Sequence, residues 1–329
     1  MAVTLADVAR RSGTSTAVVS YVMNNGPRPV APATREKVLK AAAELGYRPN
    51  RIARALRSRT SGVVGLVLAD ASNPYFAALA RHLEEALEEH DKLTLTGNAG
   101  YAADRQQHLV ERFLAAQVDG LIIVSGDGGN DVAAEASAAG VPSVYVHNAP
   151  AGARTPAVAA DNDTAVRAAV AHLRDTHGLH EIAFLAGPRD SGPVGLRREA
   201  WRSSTADLED EPLLLRCDYT RAAAAELIAA LAADGRLPRA LIAATDEQAI
   251  GILAATFAAG VRVPEDLAVI SLDGAPESAY TAPALTVTSQ PLKAMAERAV
   301  ALLLGEATRP YTPSADLVVR GSCGCAAGR

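Results

Sequence analysis

Little in this chain supports chemistry at sulfur. Only three of its 329 residues are cysteine, Cys217, Cys323 and Cys325, a sparse, odd-numbered set that gives no disulfide framework. Cys323 and Cys325 form a C-x-C pair near the end of the chain, and no histidine stands beside them in the sequence. They therefore read as a tail without metal or redox chemistry. Aromatic residues are also few, 4% with a single tryptophan, so the core is expected to be aliphatic. No apolar run reaches the roughly 18 to 20 residues that span a bilayer. The first residues read as a capped helix and not as the apolar segment of a signal peptide, so no membrane association and a cytoplasmic location are expected.

Catalytic patterns are missing as well. The run GDGGN at Gly126 to Asn130 is rich in glycine but lacks the Lys-Ser/Thr of a phosphate-binding loop and reads as a turn. The carboxylates and seven histidines show no nucleophile–base or metal-ligand spacing. The expectation is a protein without catalytic residues, metal or cofactor, and not an enzyme.

What is present is an uneven charge. Through Thr60, eleven Lys and Arg stand against three Asp and Glu, whereas the remainder carries 21 against 34. An overall pI of 5.8 thus conceals a basic head on an acidic body, and a basic head suits a phosphate backbone. The length implies two or three folded units.

The head opens with TLADVARRSGTSTAVVSYVMN, Thr4 to Asn24. Thr4 is placed to cap a first helix with Asp7 completing a capping box, and Leu5, Val8 and Ala9 share one face. Gly13 suits the positive-φ end of that helix, and Ser15 caps a second one. There Val19, Val22 and Met23 face inward at helical spacing while Thr16, Ala17, Ser20 and Tyr21 point away. A small, uncharged outer face suits the major groove of DNA. A third helix from about Pro32 to Leu45 carries the stripe Val38, Leu39, Ala42 and Leu45. Beyond Pro49, the segment Asn50 to Ser58 has helical propensity but is too short and too basic to persist alone, so it is expected to order only on an anionic partner.

These stretches, with TREKVLKAAAELGYRPNRIARALRS, closely resemble the headpiece and hinge helix of the LacI/GalR family of bacterial transcription regulators, and the resemblance covers essentially the whole chain. It implies DNA contacts from Thr4, Ser15, Thr16, Ala17, Ser20, Tyr21 and Asn24 in the head and from Asn50, Arg54, Ala55, Leu56 and Arg57 in the hinge. Thr16, Ala17 and Tyr21 would meet bases; Ser15, Ser20 and Asn24 suit phosphates. Leu56 falls where the family inserts a leucine between base pairs, an apolar wedge that unstacks a step and bends the duplex.

From Gly62 onward short aliphatic runs alternate with amphipathic helical segments. Strands are expected at 63–70, 93–97, 120–124 and 143–146, then at 182–187, 213–217, 240–245 and 267–273. Two such series imply an α/β body of two doubly wound parallel sheets, with ligands bound outside the carboxyl ends of the strands. The segments DASNPYF, TDEQAIGILAATFAAGVRVPEDLAVISLDG and TVTSQPLKAMAERAV resemble the family's periplasmic-binding-protein-like effector domain. By that resemblance the chain crosses between subdomains near Asp161, Gln290 and Arg320. The expected organisation is a headpiece at 1–49, a hinge helix and linker at 50–60, an effector N-subdomain at 61–160 plus 290–319, and a C-subdomain at 161–289 plus 320–329.

Candidate effector contacts follow the strand ends: Tyr75, Phe76, Asp161, Asn162, Arg197, Tyr219, Asp246 and Asp273. Aromatic faces stack on a sugar or base, and carboxylates accept from ligand hydroxyls. Arg189 or Arg198 stands as an alternative to Arg197, and Asp246 is equally suited to cap its helix.

The resulting expectation is a homodimeric, DNA-binding transcriptional repressor. It would read a pseudo-palindromic operator in double-stranded DNA under control of a small effector, a sugar or a nucleoside or purine. The alternative is a solute-binding protein without DNA binding, and an enzyme on the same scaffold is the third reading. No leucine heptads follow Val319, so a dimer is expected rather than a coil-linked tetramer.

Overall fold

The computed structural model describes residues 3–23, 28–48, 60–126, 131–206 and 213–325. Asn24, Asn50, Arg54, Ala55, Leu56 and Arg57, and with them the expected hinge helix, lie outside the described residues, as do residues 127–130 of GDGGN. The chain divides into two compact units, Met1–Ser61 and Gly62–Arg329.

The smaller unit holds three helices, α1 (Leu5–Ser12), α2 (Thr16–Met23) and α3 (Pro32–Leu45). The capping box at α1 is formed: Asp7 N donates to Thr4 Oγ1 at 3.3 Å, and Thr4 N donates to Asp7 Oδ2 at 3.0 Å. Val8, Ala9, Val19, Val22, Val38, Ala41 and Ala42 are buried between the helices. Each buried valine contributes on the order of 1.5–3 kcal/mol. A core this small leaves helix capping a visible share of the stability, while the exposed Arg11–Glu44 ion pair, 2.6 Å between α1 and α3, adds at most about 1 kcal/mol. The α3 stripe departs from expectation at one place. Leu39 is 45% exposed and Ala41 is buried instead, because the helical face through Val38 continues at i+3, i+4 and i+7, whereas i+1 lies about 100° away.

The larger unit contains two sheets. The first is built from β1 (Val63–Leu68), α4 (Pro74–Glu88), β2 (Leu93–Asn98), α5 (Ala103–Ala115), β3 (Gly120–Val124), α6 (Val132–Ala138), β4 (Ser143–Val146) and β5 (Ala157–Val158). Its strand order is β2-β1-β3-β4-β5, all parallel. The second sheet follows α7 (Asn162–Ala171), which runs into a π-helical turn at His172–Thr176. It comprises β6 (Ile182–Ala186), α8 (Gly192–Ser204), β7 (Leu214–Arg216), α9 (Arg221–Ala233), β8 (Ala240–Ala243), α10 (Asp246–Ala258), β9 (Ala268–Ser271) and β10 (Thr286–Ser289). The chain then forms α11 (Leu292–Leu303) and β11 (Asp316–Val318), and the second sheet is ordered β11-β10-β9-β8-β6-β7. β11 alone runs antiparallel, against β10.

In both sheets the strand order reverses beside the first strand, between β1 and β3 and between β6 and β8. Those switch points are where crevices open in doubly wound sheets. The buried runs that filled the sequence with aliphatics, such as GLIIV, have every residue inside, as parallel strands covered on both faces require. The strands β5, β10 and β11 lie outside the two aliphatic series and add to the strands the sequence predicts.

α11 packs its apolar face, including Leu292, Met295, Ala296, Ala299, Val300 and Leu303, into the core of the first sheet. The chain therefore leaves the second sheet at Ser289 and returns later. That return comes earlier than the expected Arg320: Val158 and Tyr311 form a parallel bridge, as do Asp161 and Ser314, and Asp316 already pairs with Ser289 in the second sheet. The third crossing thus lies at 311–315, fixed by backbone pairing that side-chain pattern does not reveal.

The C-x-C pair is also not where the sequence left it. Cys323 is buried, and His172 and His177, some 150 positions earlier, stand against both cysteines. The reading of a tail without histidine partners is corrected: α7 and its π-helical turn bring them there.

Candidate functional site

A cleft lies at the two switch points. It is lined from the first half by Asn73, Tyr75, Phe76, Tyr101, Gly126 and His147, and from the second by Pro193, Val194, Arg197, Tyr219, Thr245 and Asp273. Each residue follows or nearly follows a strand end, the edge at which doubly wound sheets bind ligands.

The polar centre is a buried ion pair. Arg197 reaches from α8, and its Nη1 donates to Asp273 Oδ1 at 2.9 Å with side chains only 2% and 5% exposed. Nη1 also donates to Ala244 O, and Nε donates to Asn162 Oδ1 at 2.7 Å. Asn162 in turn donates from Nδ2 to Ala160 O at 3.1 Å. The guanidinium is thereby held by three strand and helix ends, which offsets the cost of taking both charges from water.

Asp273 is itself positioned by its neighbours. Its Oδ2 accepts from Asp246 N at 3.3 Å. The Asp246 carboxylate accepts from Ser271 Oγ and, at 2.6 Å, from Ala275 N. Burial pushes the Asp246 carboxyl above the ordinary carboxylate range, and the negative charge of Asp273 adds to that rise. Asp246 thus braces the turn that carries Asp273 and does not line the cleft. The cap of α10 is Thr245, whose side chain accepts from Gln248 N.

The first half supplies rings. Tyr75 lies in the first turn of α4, after Asn73, whose side chain caps that helix by accepting from Tyr75 N at 3.0 Å. The Tyr75 hydroxyl donates to Gln290 Oε1 at 2.7 Å, and burial raises its pKa. His147 Nδ1 lies 3.0 Å from the same hydroxyl. With the phenol proton committed to Gln290, the neutral imidazole is the donor in that contact. Desolvation, reinforced by the positive charge of Arg197, pushes the His147 pKa down to about 3. His147 has φ 73°, an uncommon conformation for a residue other than glycine. The Phe76 ring meets Tyr75, Tyr101 and His147 edge-on, with centroids 5.1, 6.1 and 5.2 Å apart, and Tyr101 stands 6.3 Å from Tyr219.

Of the eight effector candidates, Tyr75, Phe76, Arg197, Tyr219 and Asp273 line the cleft, and Asn162 reaches it through Arg197. Asp161 does not. It caps α7, accepting from Thr164 N at 3.0 Å and Thr164 Oγ1 at 2.7 Å. Arg198 is engaged by Asp190 at 2.9 Å, which leaves Arg197 as the arginine of the pair. Sequence reasoning missed Asn73, Tyr101, His147, Thr245 and Gln290. Asn73 before Pro74 is a legible capping signal, and Gln290 was noted only as a crossing point. Nothing local marks His147 or Tyr101.

On the head, Thr16 and Ala17 are exposed, and Ser20 and Tyr21 are partly so. The Arg28 guanidinium lies 6.0 Å from the Tyr21 ring centre. Ser15 Oγ accepts from Val18 N at 3.3 Å, so its hydroxyl serves as the helix cap. Thr4 is exposed and engaged with Asp7.

Comparison with known proteins agrees with this reading of both units. Residues 4–50 match the family described as bacterial regulatory proteins, lacI family, and residues 170–323 match a periplasmic binding protein-like domain. The catabolite control protein A of Priestia megaterium is 33% identical over 92% of this chain and 92% of its own. The structure of a Lac repressor dimer bound to operator and the anti-inducer ONPF superposes with a TM-score of 0.84 at 27% identity, covering 98% and 99% of the two chains. The complex of the transcriptional regulator CelR with cellobiose gives 0.70 at 30% identity, covering 97% and 99%. A solute-binding protein without DNA binding has no use for a lacI-type head, and these relatives are regulators and not enzymes. A relative one-third identical along nine-tenths of both chains decides the assignment: this chain belongs to the LacI/GalR family of DNA-binding bacterial transcriptional regulators.

Proposed function

We propose that the protein is a homodimeric, cytoplasmic repressor that binds a pseudo-palindromic operator and releases or tightens on it when a sugar occupies the cleft. The observation that carries the effector class is the buried Arg197–Asp273 pair facing a cluster of rings. A pyranose offers vicinal hydroxyls that a guanidinium and a carboxylate take as acceptor and donors, and a C–H face that stacks on Tyr75, Phe76, Tyr101 or Tyr219. Arg197 Nη2 and the remaining lone pairs of Asp273 are the groups left for that work.

Within the effector unit the two halves of the cleft are joined through its own connections. His147, Tyr75 and Gln290 form a chain that ends on Leu272 O, 3.4 Å from Gln290 Nε2. It ties the first sheet to a crossing segment and to the strand end before Asp273. A ligand that binds one closure state better shifts the separation of the hinge segments in a dimer. On DNA, Thr16, Ala17 and Tyr21 meet base edges. Thr4, Ser15, Ser20, Asn24, Asn50, Arg54, Ala55 and Arg57 lie along the backbone or groove, and Leu56 wedges the central step.

The test pairs two measurements. A thermal-shift panel of mono- and disaccharides, nucleosides and purines should raise the melting temperature only with a sugar. Gel shifts should then show that sugar changing affinity for a palindromic operator, with a steep salt dependence. A shift with a nucleoside and none with any sugar overturns the effector class. Equal affinity for palindromic and random DNA overturns the operator reading.

A further inference from the structure

We propose that His172, His177, Cys323 and Cys325 form a closed, four-ligand site for Zn²⁺ that fastens the end of the chain to the second half of the effector unit. The four ligand atoms all lie within 4.8 Å of one another. Four of the six separations fall close to tetrahedral edges. His172 Nε2 is 3.2 Å from His177 Nε2, 3.4 Å from Cys323 Sγ and 3.5 Å from Cys325 Sγ; His177 Nε2 is 3.3 Å from Cys325 Sγ. Bond lengths of ~2.3 Å to sulfur and ~2.05 Å to nitrogen predict N–N edges of about 3.3 Å and N–S edges of about 3.6 Å around a tetrahedral zinc. These four separations lie within about 0.3 Å of the tetrahedral values, and all six are at most 4.8 Å.

The sequence builds this arrangement by two local devices. Five residues in an α-helix advance about 500°, which leaves residues i and i+5 about 140° apart. The wider π-helical turn at His172–Thr176 instead brings His177 back over His172, and such turns recur at functional sites. On the other side, Gly324 separates the cysteines with φ 107°, and a Cβ there would sit 3.2 Å from the His177 ring. Glycine is what allows C-x-C to turn both sulfurs toward the two imidazoles.

Outer contacts suit a metal. His172 Nδ1 lies 3.5 Å from Thr176 Oγ1, so the neutral ring has an outer partner for its N–H while Nε2 faces the other donors. Thr286 Oγ1 lies 3.1 Å from Cys323 Sγ and supplies a hydroxyl to a thiolate. Two imidazoles and two sulfurs in tetrahedral array select zinc over the harder magnesium and calcium ions, and four protein donors leave no open position, which marks a structural site. Its place gives it a consequence. Ser322, between Gly321 and Cys323, joins β10 to β9 through Thr286 N and Val269 O. The opposite end of α7 carries Asn162, which orients Arg197. Zinc would clamp the helix that positions the cleft's arginine to the sheet that carries Asp273.

The test uses the full chain without a histidine tag, purified under reducing conditions and without chelator. Elemental analysis should find close to one zinc per chain in the wild type and almost none in Cys325→Ser combined with His177→Ala, both partly exposed positions whose substitution leaves the core intact. Cobalt added to metal-stripped protein should give the intense visible bands of a tetrahedral site with thiolate charge transfer. Thr176→Val, which keeps all four ligands, should weaken zinc about 10-fold in competition with a fluorescent chelator. Zinc should raise the melting temperature of stripped wild type and not that of the double variant, with circular dichroism verifying that the variant is folded. Equal zinc in wild type and double variant overturns the proposal. So does failure of stripped wild type to take up zinc or cobalt, or a Cys323–Cys325 disulfide in the reduced preparation.

Discussion

Arg197 and Asp273, 76 positions apart in the chain, meet at 2.9 Å as an almost completely buried ion pair. Removing one partner of such a pair leaves a charge in a medium that cannot solvate it, a loss of about 3–5 kcal/mol, whereas replacing both with apolar groups is often neutral. Asp273→Ala should therefore lower the unfolding free energy by that amount and abolish the sugar-induced thermal shift. Arg197→Met with Asp273→Leu should recover much of the stability in urea denaturation and none of the ligand response. Ligand binding by the double variant would remove the pair from the site.

His147 gives a pH dependence of definite sign. Its folded pKa is depressed from 6.5 to about 3, so the unfolded chain binds the extra proton first. Its contribution is complete above about pH 6.5 and is lost as pH falls toward about 3. The shift bounds the effect at roughly 4–5 kcal/mol, and the partial exposure of the ring suggests a measured value nearer half of that. Unfolding free energies of wild type and His147→Gln, compared between pH 7 and 4, should converge as the pH falls. A constant difference would show that the ring titrates normally.

Asp246 contributes a slope of the opposite sign. Its folded carboxyl holds a proton above the ordinary carboxylate range, so the native state binds more protons than the unfolded one. That stabilisation is present at low pH and is lost as pH rises through the raised value. Asp246→Asn cannot titrate, so wild type should lose stability relative to the variant on going from pH 4 to pH 8. The readout is the slope, since the substitution also alters the bond from Ala275 N.

A smaller change should alter the cleft without unfolding the protein. A Cβ on Gly187 would sit 2.1 Å from the hydroxyl end of Tyr219. The clash is with ring atoms of one side chain and not with backbone, so the Tyr219 ring is what must shift. Gly187→Ala should leave the melting temperature within a few degrees, displace Tyr219 and weaken sugar binding by about 10-fold, the worth of roughly 1.4 kcal/mol of lost stacking. Unchanged affinity by calorimetry would place Tyr219 outside the ligand's reach.

On DNA, Tyr21→Ala should relax the base preference at one symmetric pair of operator positions at a cost of about 1–3 kcal/mol. Leu56→Ala should weaken the palindrome while leaving random-sequence affinity and its salt slope nearly unchanged, because a wedge acquires its worth only where the step unstacks. A uniform loss on both DNAs in gel shifts would recast either residue as a backbone contact.

The headpiece was legible because each of its signals is local. Thr4 and Asp7 form the capping box that their spacing announces, and Val19 and Val22 are buried where helical periodicity places them. Leu39 misled because Val-Leu at adjacent positions cannot share a face. In the body, long aliphatic runs declared the central parallel strands, while β5, β10 and β11, of two to four residues each, are held by pairing with distant strands.

Local pattern was enough to read a basic three-helix head, an acidic α/β body and five of the residues lining the cleft, since caps, periodicity and strand ends are properties of neighbouring residues. Long-range packing makes Asp246 brace rather than line the cleft. It alone turned His147 inward beside Tyr75, and brought His172 and His177 to a C-x-C pair about 150 residues away. Those outcomes depend on which strand ends and helix turns the chain returns to the same place, and that is set by sheet order and crossings between residues too far apart for any local pattern to record.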